Sequence, residues 1–160
     1  MTSILLAISG LVLLIISASA VPRVQEDHTT PEPPSLNRLI DAIQMIESGP
    51  KRPSNMVFLE RGAAGEIGPF QILPIMMDEM SNCLGVEITE NDLVDYRISR
   101  QLVRNYFNYI CMNCLEASGK LPTEEYLARL WNGGYNGVNK VGTLLYWKKV
   151  KEVMESYESD

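Results

Sequence analysis

The sequence predicts a mainly α-helical domain, or an α+β domain whose only β-structure is a small hairpin. Apolar residues recur at intervals of three and four positions in several segments, which is typical of amphipathic helices. Neither an internal repeat nor strands that alternate with helices are present, so an α/β sheet is excluded. A chain of 160 residues gives room for one domain around one core. We expect about five helices around a cleft.

The first 20 residues have the pattern of a signal peptide. An apolar run over positions 4–16 is followed by Ser17-Ala18-Ser19-Ala20, a small-residue pattern that predicts cleavage after Ala20. No Lys or Arg precedes the run, so an uncleaved anchor is the alternative, but about 17 apolar residues are short for a membrane span. We therefore expect a mature chain from Val21, secreted or periplasmic, with no stable membrane span.

Residues 21–35 are polar and rich in proline, which predicts an extended tether. The tether contains the only histidine, His28, which we interpret as a solvated linker residue. The helical domain then covers residues 36–157.

The first helix of the domain follows Ser35, a predicted N-cap, and stops at Gly49-Pro50. Its apolar stripe consists of Leu36, Leu39, Ile40, Ile43 and Ile46. Glu47 lies in the last turn, where the negative end of the helix dipole tends to raise the pKa of a carboxyl group. Glu47 is therefore a candidate catalytic acid, and an ordinary exposed glutamate is the alternative.

Four further helices are predicted after the first one. A glycine-rich segment separates the first helix of the domain from the second. The segment over 62–74 is predicted to be a short hairpin or the wall of a cleft, and it lacks the Lys-Ser/Thr of a phosphate loop. Three signals predict these helices: apolar periodicity, proline at the start of a helix and glycine at its end. The predicted helices cover 74–80, 98–115, 122–133 and 144–157.

Charge and cysteine content exclude several functions. A net charge of -6 without a basic stripe argues against nucleic-acid binding. Cys83 could pair with Cys111 or with Cys114, which would leave one thiol over. A zinc site made of the cysteines and His28 is disfavoured, because the histidine lies in the tether. We expect no metal, no other cofactor and a monomer.

Three motifs occur in a fixed order along the domain. They are Glu47-Ser48-Gly49, then Gly65-x-x-Gly68-Pro-Phe-Gln71-Ile-x-Pro74, then Ala128-Arg-Leu-Trp-Asn132-Gly-Gly134-Tyr-Asn-Gly. This order resembles the lysozyme superfamily. The lytic transglycosylase domain has similar E-S-G, G-x-x-G-x-x-Q-I-x-P and Y-N-A-G motifs. The invertebrate-type lysozymes and their bacterial relatives are similar at A-R-I-H-N-G-G-P-x-G and at T-L-x-Y-W-x-K-V, which Thr143–Val150 matches. The resemblance covers residues 36 to 151.

The resemblance implies a lysozyme-like fold and an enzyme that cleaves the glycan strands of peptidoglycan. It implies that Glu47 is the general acid, which protonates the glycosidic oxygen between N-acetylmuramic acid and N-acetylglucosamine. Five residues match cleft or motif positions of the family and are candidates for substrate binding, namely Gln71, Asn132, Gly133, Tyr135 and Tyr146. For Tyr146, core packing is the alternative.

The second carboxylate decides the reaction that the resemblance implies. Hydrolysis usually needs a second carboxylate to deliver water, whereas a lytic transglycosylase can work with one acid because the 6-hydroxyl of the sugar attacks. Glu60 is the nearest match to the aspartate of the lysozymes, Glu66 is the other candidate, and no second acid is the third possibility. Asp41 and Asp78 are interpreted as solvated helix charges.

The C-terminal motifs favour a muramidase over a lytic transglycosylase that forms 1,6-anhydromuramic ends. An inactive module that binds peptidoglycan is the alternative from another class of function.

Two departures from the family stand out. Trp131 replaces a histidine or tyrosine, and the dense disulfide framework of the animal enzymes is absent, which favours a bacterial or phage-like branch.

Overall fold

Six α-helices make up most of the part of the chain that the computed structural model describes, residues 35–50, 58 and 61–157. They are α1 (Leu36–Ser48), α2 (Pro74–Leu84), α3 (Glu90–Val94), α4 (Tyr96–Ser118), α5 (Glu124–Gly133) and α6 (Gly142–Ser156), with a 3₁₀ turn at Gly137–Asn139 before α6. The predicted mainly α class is confirmed. The predicted signal peptide and tether and Glu60 lie outside the described residues.

The five predicted helices all form, and a sixth was not predicted. The additional helix, α3, begins after Thr89, whose side chain and backbone form a capping box with Asp92. Because α3 has only five residues, it is too short to show an apolar period. The predicted cap of α1 is wrong in one respect. The Ser35 side chain caps nothing, and its backbone N–H donates to Glu124 Oε1 at 3.2 Å.

The predicted hairpin is reduced to one antiparallel bridge between Ile67 and Ile72, and the described residues contain no strand. The turn between them is tight because it packs directly on the backbone of α3. A methyl group on Gly68 would lie 1.9 Å from the carbonyl oxygen of Leu93, and the φ angle of Gly68 is 72°. Only glycine fits this position without strain.

The core joins the glycine-rich segment to the helices. Phe70 is fully buried, and its ring meets the edge of Trp131 on α5 at a centroid distance of 6.4 Å. Trp131 also packs edge-on against Phe107 of α4 at 5.7 Å. α1 contacts α4, α5 and α6 through its buried stripe. The ends of α1 and α5 and the glycine-rich segment are therefore brought to one side of the core.

One predicted solvated charge is instead an ion pair. The guanidinium of Arg100 on α4 binds the carboxylate of Asp41 on α1 at 3.0 Å, and both side chains are mostly buried. The prediction for Asp41 is therefore wrong, because α4 places a cation beside it. Asp78 is exposed, as predicted.

The three cysteines are free thiols, so the predicted pairing of Cys83 is not formed. Cys83 lies on α2, and Cys111 and Cys114 lie on α4. Burial raises the pKa of the Cys111 thiol, which favours the unreactive protonated form. Among the residues described, no helix is both long and apolar enough to cross a membrane.

Candidate active site

A cleft of about 560 Å³ opens where α1 and α5 end and α2 begins. This volume lies in the range of small-molecule binding sites. Its walls combine apolar side chains with carboxyl, amide and ammonium groups. The lining residues are Glu47, Glu66, Gln71, Ile72, Leu73, Ile75, Met76, Glu79, Trp131, Asn132, Gly133, Gly134 and Lys140.

Glu47 projects from the last turn of α1 into the wall of the cleft. The hydroxyl of Tyr146, on α6, donates a hydrogen bond to Glu47 Oε1 at 2.7 Å. The Trp131 side chain is a second hydrogen-bond partner of the carboxyl group. Tyr146 and Trp131 are each only 9% exposed, so both donors act from the core.

Burial raises the pKa of Glu47 above its ordinary value. The hydrogen bonds from Tyr146 and Trp131 act against this shift, because they stabilise the carboxylate, and the nearby charge of Glu66 adds to it. Sequence reasoning attributed a raised pKa to the helix dipole, and in the structure desolvation raises it. The net result favours the protonated form of Glu47, which a general acid requires.

Two polar side chains hold the end of α1, and one of them, Ser48, joins it to the glycine-rich segment. Ser48 Oγ donates to the carbonyl oxygen of Pro69 at 2.8 Å. Gln44, which is 1% exposed, donates from Nε2 to the carbonyl oxygen of Gly49 at 2.9 Å. Sequence reasoning missed both roles, although a glutamine beside the apolar stripe of α1 was a visible signal. These bonds hold Glu47 in register with the opposite wall.

Glu66 is the second carboxylate that the structure brings to the cleft with Glu47. Its Oε2 accepts a hydrogen bond from the backbone N–H of Ala64 at 2.9 Å. A methyl group on Gly62 would lie 2.2 Å from this oxygen, so glycine at 62 leaves the space that the carboxylate fills. Glu60, the first candidate from the sequence, lies outside the described residues.

Gln71 lines the cleft from the tight turn. Its φ angle is 49°, a left-handed conformation that side-chain-bearing residues rarely adopt. Its Nε2 donates to the carbonyl oxygen of Gly68 at 2.9 Å, which closes the turn and fixes the side-chain amide. The turn therefore holds Gln71 in the position at which a ligand could contact it.

The other predicted binding residues fall into two groups. Asn132 and Gly133 line the cleft. Tyr135 is 86% exposed and lies outside the lining residues, because Gly134 turns the chain away from the end of α5. Tyr146 also lies outside the lining residues. Since its hydroxyl binds Glu47, the structure favours a positioning role for Tyr146 over direct contact with a ligand.

Three aromatic or charged residues of the cleft wall were not predicted as site residues. Trp131, noted only as a departure from the family, lines the cleft and binds Glu47. Glu79, on α2, accepts a hydrogen bond from the Tyr106 hydroxyl at 2.5 Å. Lys140 donates from Nζ to the carbonyl oxygen of Gly133 at 2.7 Å. The partners of Trp131 and Glu79 lie far away in the sequence, so local spacing gave no signal for these two residues.

Arg129 holds the loop that carries Lys140. Its guanidinium donates to Thr143 Oγ1 at 3.1 Å and also binds the carbonyl oxygen of Val138. Gly137 packs so closely on α5 that a methyl group there would lie 2.0 Å from the carbonyl oxygen of Arg129. The last glycine of the third motif therefore has a packing role, and the loop returns Lys140 to the cleft.

Within the described ranges, no group of three or more His, Cys, Asp or Glu side chains could hold a metal ion. We find no match to the chain among family models, curated proteins or solved structures.

Proposed function

We propose that this protein cleaves the glycan strands of peptidoglycan at the β-1,4 bond between N-acetylmuramic acid and N-acetylglucosamine. The observation that carries the proposal is Glu47, a partly buried carboxyl group with a raised pKa in the wall of a 560 Å³ cleft. The three sequence motifs that resemble the lysozyme superfamily supply residues to this one cleft, which further supports the proposal.

Glu47 acts as the general acid in the proposed reaction. Its proton passes to the glycosidic oxygen as the bond from that oxygen to the anomeric carbon breaks. The Glu47 carboxylate that remains is stabilised by the hydrogen bonds from Tyr146 and Trp131. Water then attacks the anomeric carbon, which leaves a reducing N-acetylmuramic acid end and restores the proton to the enzyme.

Glu66 is the proposed partner for the attacking water, through Oε1, since Oε2 is the oxygen that the Ala64 N–H binds. Its carboxylate lines the same cleft and is close enough for its charge to raise the pKa of Glu47. A lytic transglycosylase is the second candidate. The observation that favours it is the raised pKa of Glu47, because a single acid is sufficient for that reaction.

A lysozyme-like fold and export belong to the same proposal. Helices surround the cleft, and the motifs enter it in their family order, which supports the fold. The signal-peptide pattern of residues 1–20 supports a secreted or periplasmic enzyme. We propose that it acts as a monomer without a metal or other cofactor.

The test digests purified peptidoglycan with the protein and with its Glu47→Gln variant. Mass spectrometry then identifies the sugar ends. A Glu87→Gln variant is the matched control, because Glu87 is exposed and lies outside the cleft. We expect reducing N-acetylmuramic acid ends from the wild type and the control, and at least a roughly 100-fold loss in Glu47→Gln.

Other outcomes have defined meanings. Anhydro ends that depend on Glu47 would identify a lytic transglycosylase. Peptidoglycan binding without any new ends would identify an inactive binding module. Equal amounts of product from the wild type and Glu47→Gln would overturn the role of Glu47.

A further inference from the structure

Two hydrogen-bond acceptors of the cleft converge over Gly62. A methyl group on Gly62 would lie 2.2 Å from Glu66 Oε2 and 2.7 Å from Gln71 Oε1, so both oxygens lie over the same point of the backbone. Among the described residues, one donor reaches Glu66, the Ala64 N–H, and none reaches Gln71 Oε1. The pair of oxygens therefore retains capacity for a donor from a ligand.

The orientation of the Gln71 amide is fixed by its own turn. Its Nε2 donates to the carbonyl oxygen of Gly68 at 2.9 Å, and reversing the amide would place two oxygens against each other. Gln71 Oε1 is therefore the atom presented beside Glu66. The left-handed backbone at Gln71 shows that the fold holds this position despite its conformational cost.

The charges of the cleft favour a cation as the occupant. Glu66 and Glu79 contribute two carboxylates, and Glu79 is held only by the neutral hydroxyl of Tyr106 among the described residues. In that part of the chain, Lys140 is the one cationic residue of the lining, and its ammonium group is held against the carbonyl oxygen of Gly133. A cationic ligand group is therefore attracted to the part of the cleft beside Glu66 and Glu79.

We propose that Glu66 and Gln71 form a subsite for a protonated primary amine, and that the substrate class is a glycan strand whose hexosamine carries a free 2-amino group. This inference rests on the proposed function, because the subsite belongs to the same cleft. An ammonium group offers three N–H donors to the two oxygens, whereas an acetamido group offers one and carries no charge. Calcium fits less well, because it takes six to eight oxygen ligands.

The test measures binding by calorimetry in the Glu47→Gln background, in which catalysis is expected to be too slow to consume the ligands. The probes are the pentamers of glucosamine and of N-acetylglucosamine, which differ only in the acetyl groups. We expect the amine pentamer to bind on the order of tenfold more tightly at low salt, and this preference to fall as salt rises. Adding Glu66→Gln should bring the two affinities to within about twofold.

Two further variants make the result specific. Glu87→Gln removes an exposed charge outside the cleft and should keep the full preference. Gly62→Ala places a methyl group against both acceptor oxygens and should abolish the preference without changing any charge. Thermal unfolding of each variant verifies that it is folded, and Gly62→Ala serves as the test if Glu66→Gln fails to fold.

Failure of this subsite can be distinguished from failure of the proposed function. The subsite is overturned if the protein shows no preference for the amine pentamer, or if this preference survives both Glu66→Gln and Gly62→Ala. It is also overturned if neither pentamer binds. Cleavage of acetylated peptidoglycan by the wild type would still support the proposed function in those cases. Amine-selective binding that depends on Glu66, with no glycan cleaved by the wild type, would support the subsite and overturn the function.

Discussion

Tyr146 opposes the effect of burial on Glu47. Its hydrogen bond at 2.7 Å stabilises the carboxylate, whereas desolvation favours the protonated acid. The pKa of Glu47 is therefore set by a balance between the two effects. In the proposed reaction, this balance would let Glu47 give up a proton and recover it in each cycle.

We predict that Tyr146→Phe shifts the alkaline limb of the activity profile to higher pH. The substitution removes the bond that lowers the pKa of Glu47, so the acid stays protonated further into the alkaline range. We also expect a loss of activity of roughly tenfold, because the departing proton leaves a less stabilised carboxylate. The measurement is kcat/KM for glycan cleavage against pH. Tyr157→Phe, on an exposed hydroxyl at the chain's end, is the control.

A purely structural role for Tyr146 would give a different profile. In that case the variant would lose activity by the same factor at every pH, and the position of the limb would not move. That result would contradict the positioning role.

The raised pKa of Glu47 also predicts how stability depends on pH. The folded state binds the proton more tightly than the unfolded state, so stability falls as pH rises from the ordinary value of 4.5 through the folded pKa. A tenfold difference in proton affinity between the two states corresponds to about 1.4 kcal/mol. Glu47→Gln removes the cost of a buried charge, so we expect its stability gain over the wild type to be larger at about pH 8 than at about pH 4. Denaturant unfolding at both pH values measures this, and a gain independent of pH would contradict it.

At the scale of elements, the contact between the glycine-rich turn and α3 sets one wall of the cleft. Gly68 lies against the carbonyl oxygen of Leu93, and Gln71 follows three residues later. Ser48 joins the same turn to α1 through the carbonyl oxygen of Pro69. The wall that carries Glu66 and Gln71 is therefore held by contacts with two helices that are far apart in the sequence.

We predict that Gly68→Ala destabilises the protein by about 3–5 kcal/mol, because it adds a clash with backbone to the strain of a positive φ angle. Gly65→Ala is the matched control. Its φ angle is 89°, but nothing lies within 4 Å of the added methyl group, so we expect a cost of only about 1–2 kcal/mol from strain. Equilibrium unfolding in urea gives both values. Equal losses in the two variants would show that the contact with α3 contributes nothing beyond strain.

At the scale of the whole molecule, local patterns predicted the helices. Contacts between distant segments determined the form of the glycine-rich turn and the surroundings of the candidate site. Apolar periodicity located α1, α4 and α6, because it depends only on neighbouring residues. The predicted hairpin is reduced to one bridge, and its turn packs through Gly68 on α3, a contact that no local pattern contains. The same distinction applies to the candidate site.

Glu47 could be predicted as a candidate because Gly49-Pro50 ends the helix directly after it. This signal lies next to Glu47 in the sequence, so it needs no knowledge of the fold. Its partner Tyr146 lies 99 positions later, so only the folded chain brings the hydroxyl to the carboxyl group. Whether Glu66 enters the cleft depends on the direction of one side chain in a turn, which spacing does not determine. The sequence therefore predicted the candidate acid, and the fold shows which residues surround it.

The free thiols give a last prediction for the whole molecule. The sequence allowed Cys83 to pair with Cys111 or Cys114, as cysteines of exported proteins often do, whereas all three are free in the structure. A disulfide typically adds about 2–4 kcal/mol of stability, so a reductant should leave the unfolding midpoint unchanged if none is present. Alkylation in denaturant without prior reduction, followed by mass spectrometry, should attach a label to each of the three cysteines. A single label, together with a midpoint lowered by reductant, would show that the original pairing forms and that α2 and α4 are covalently joined.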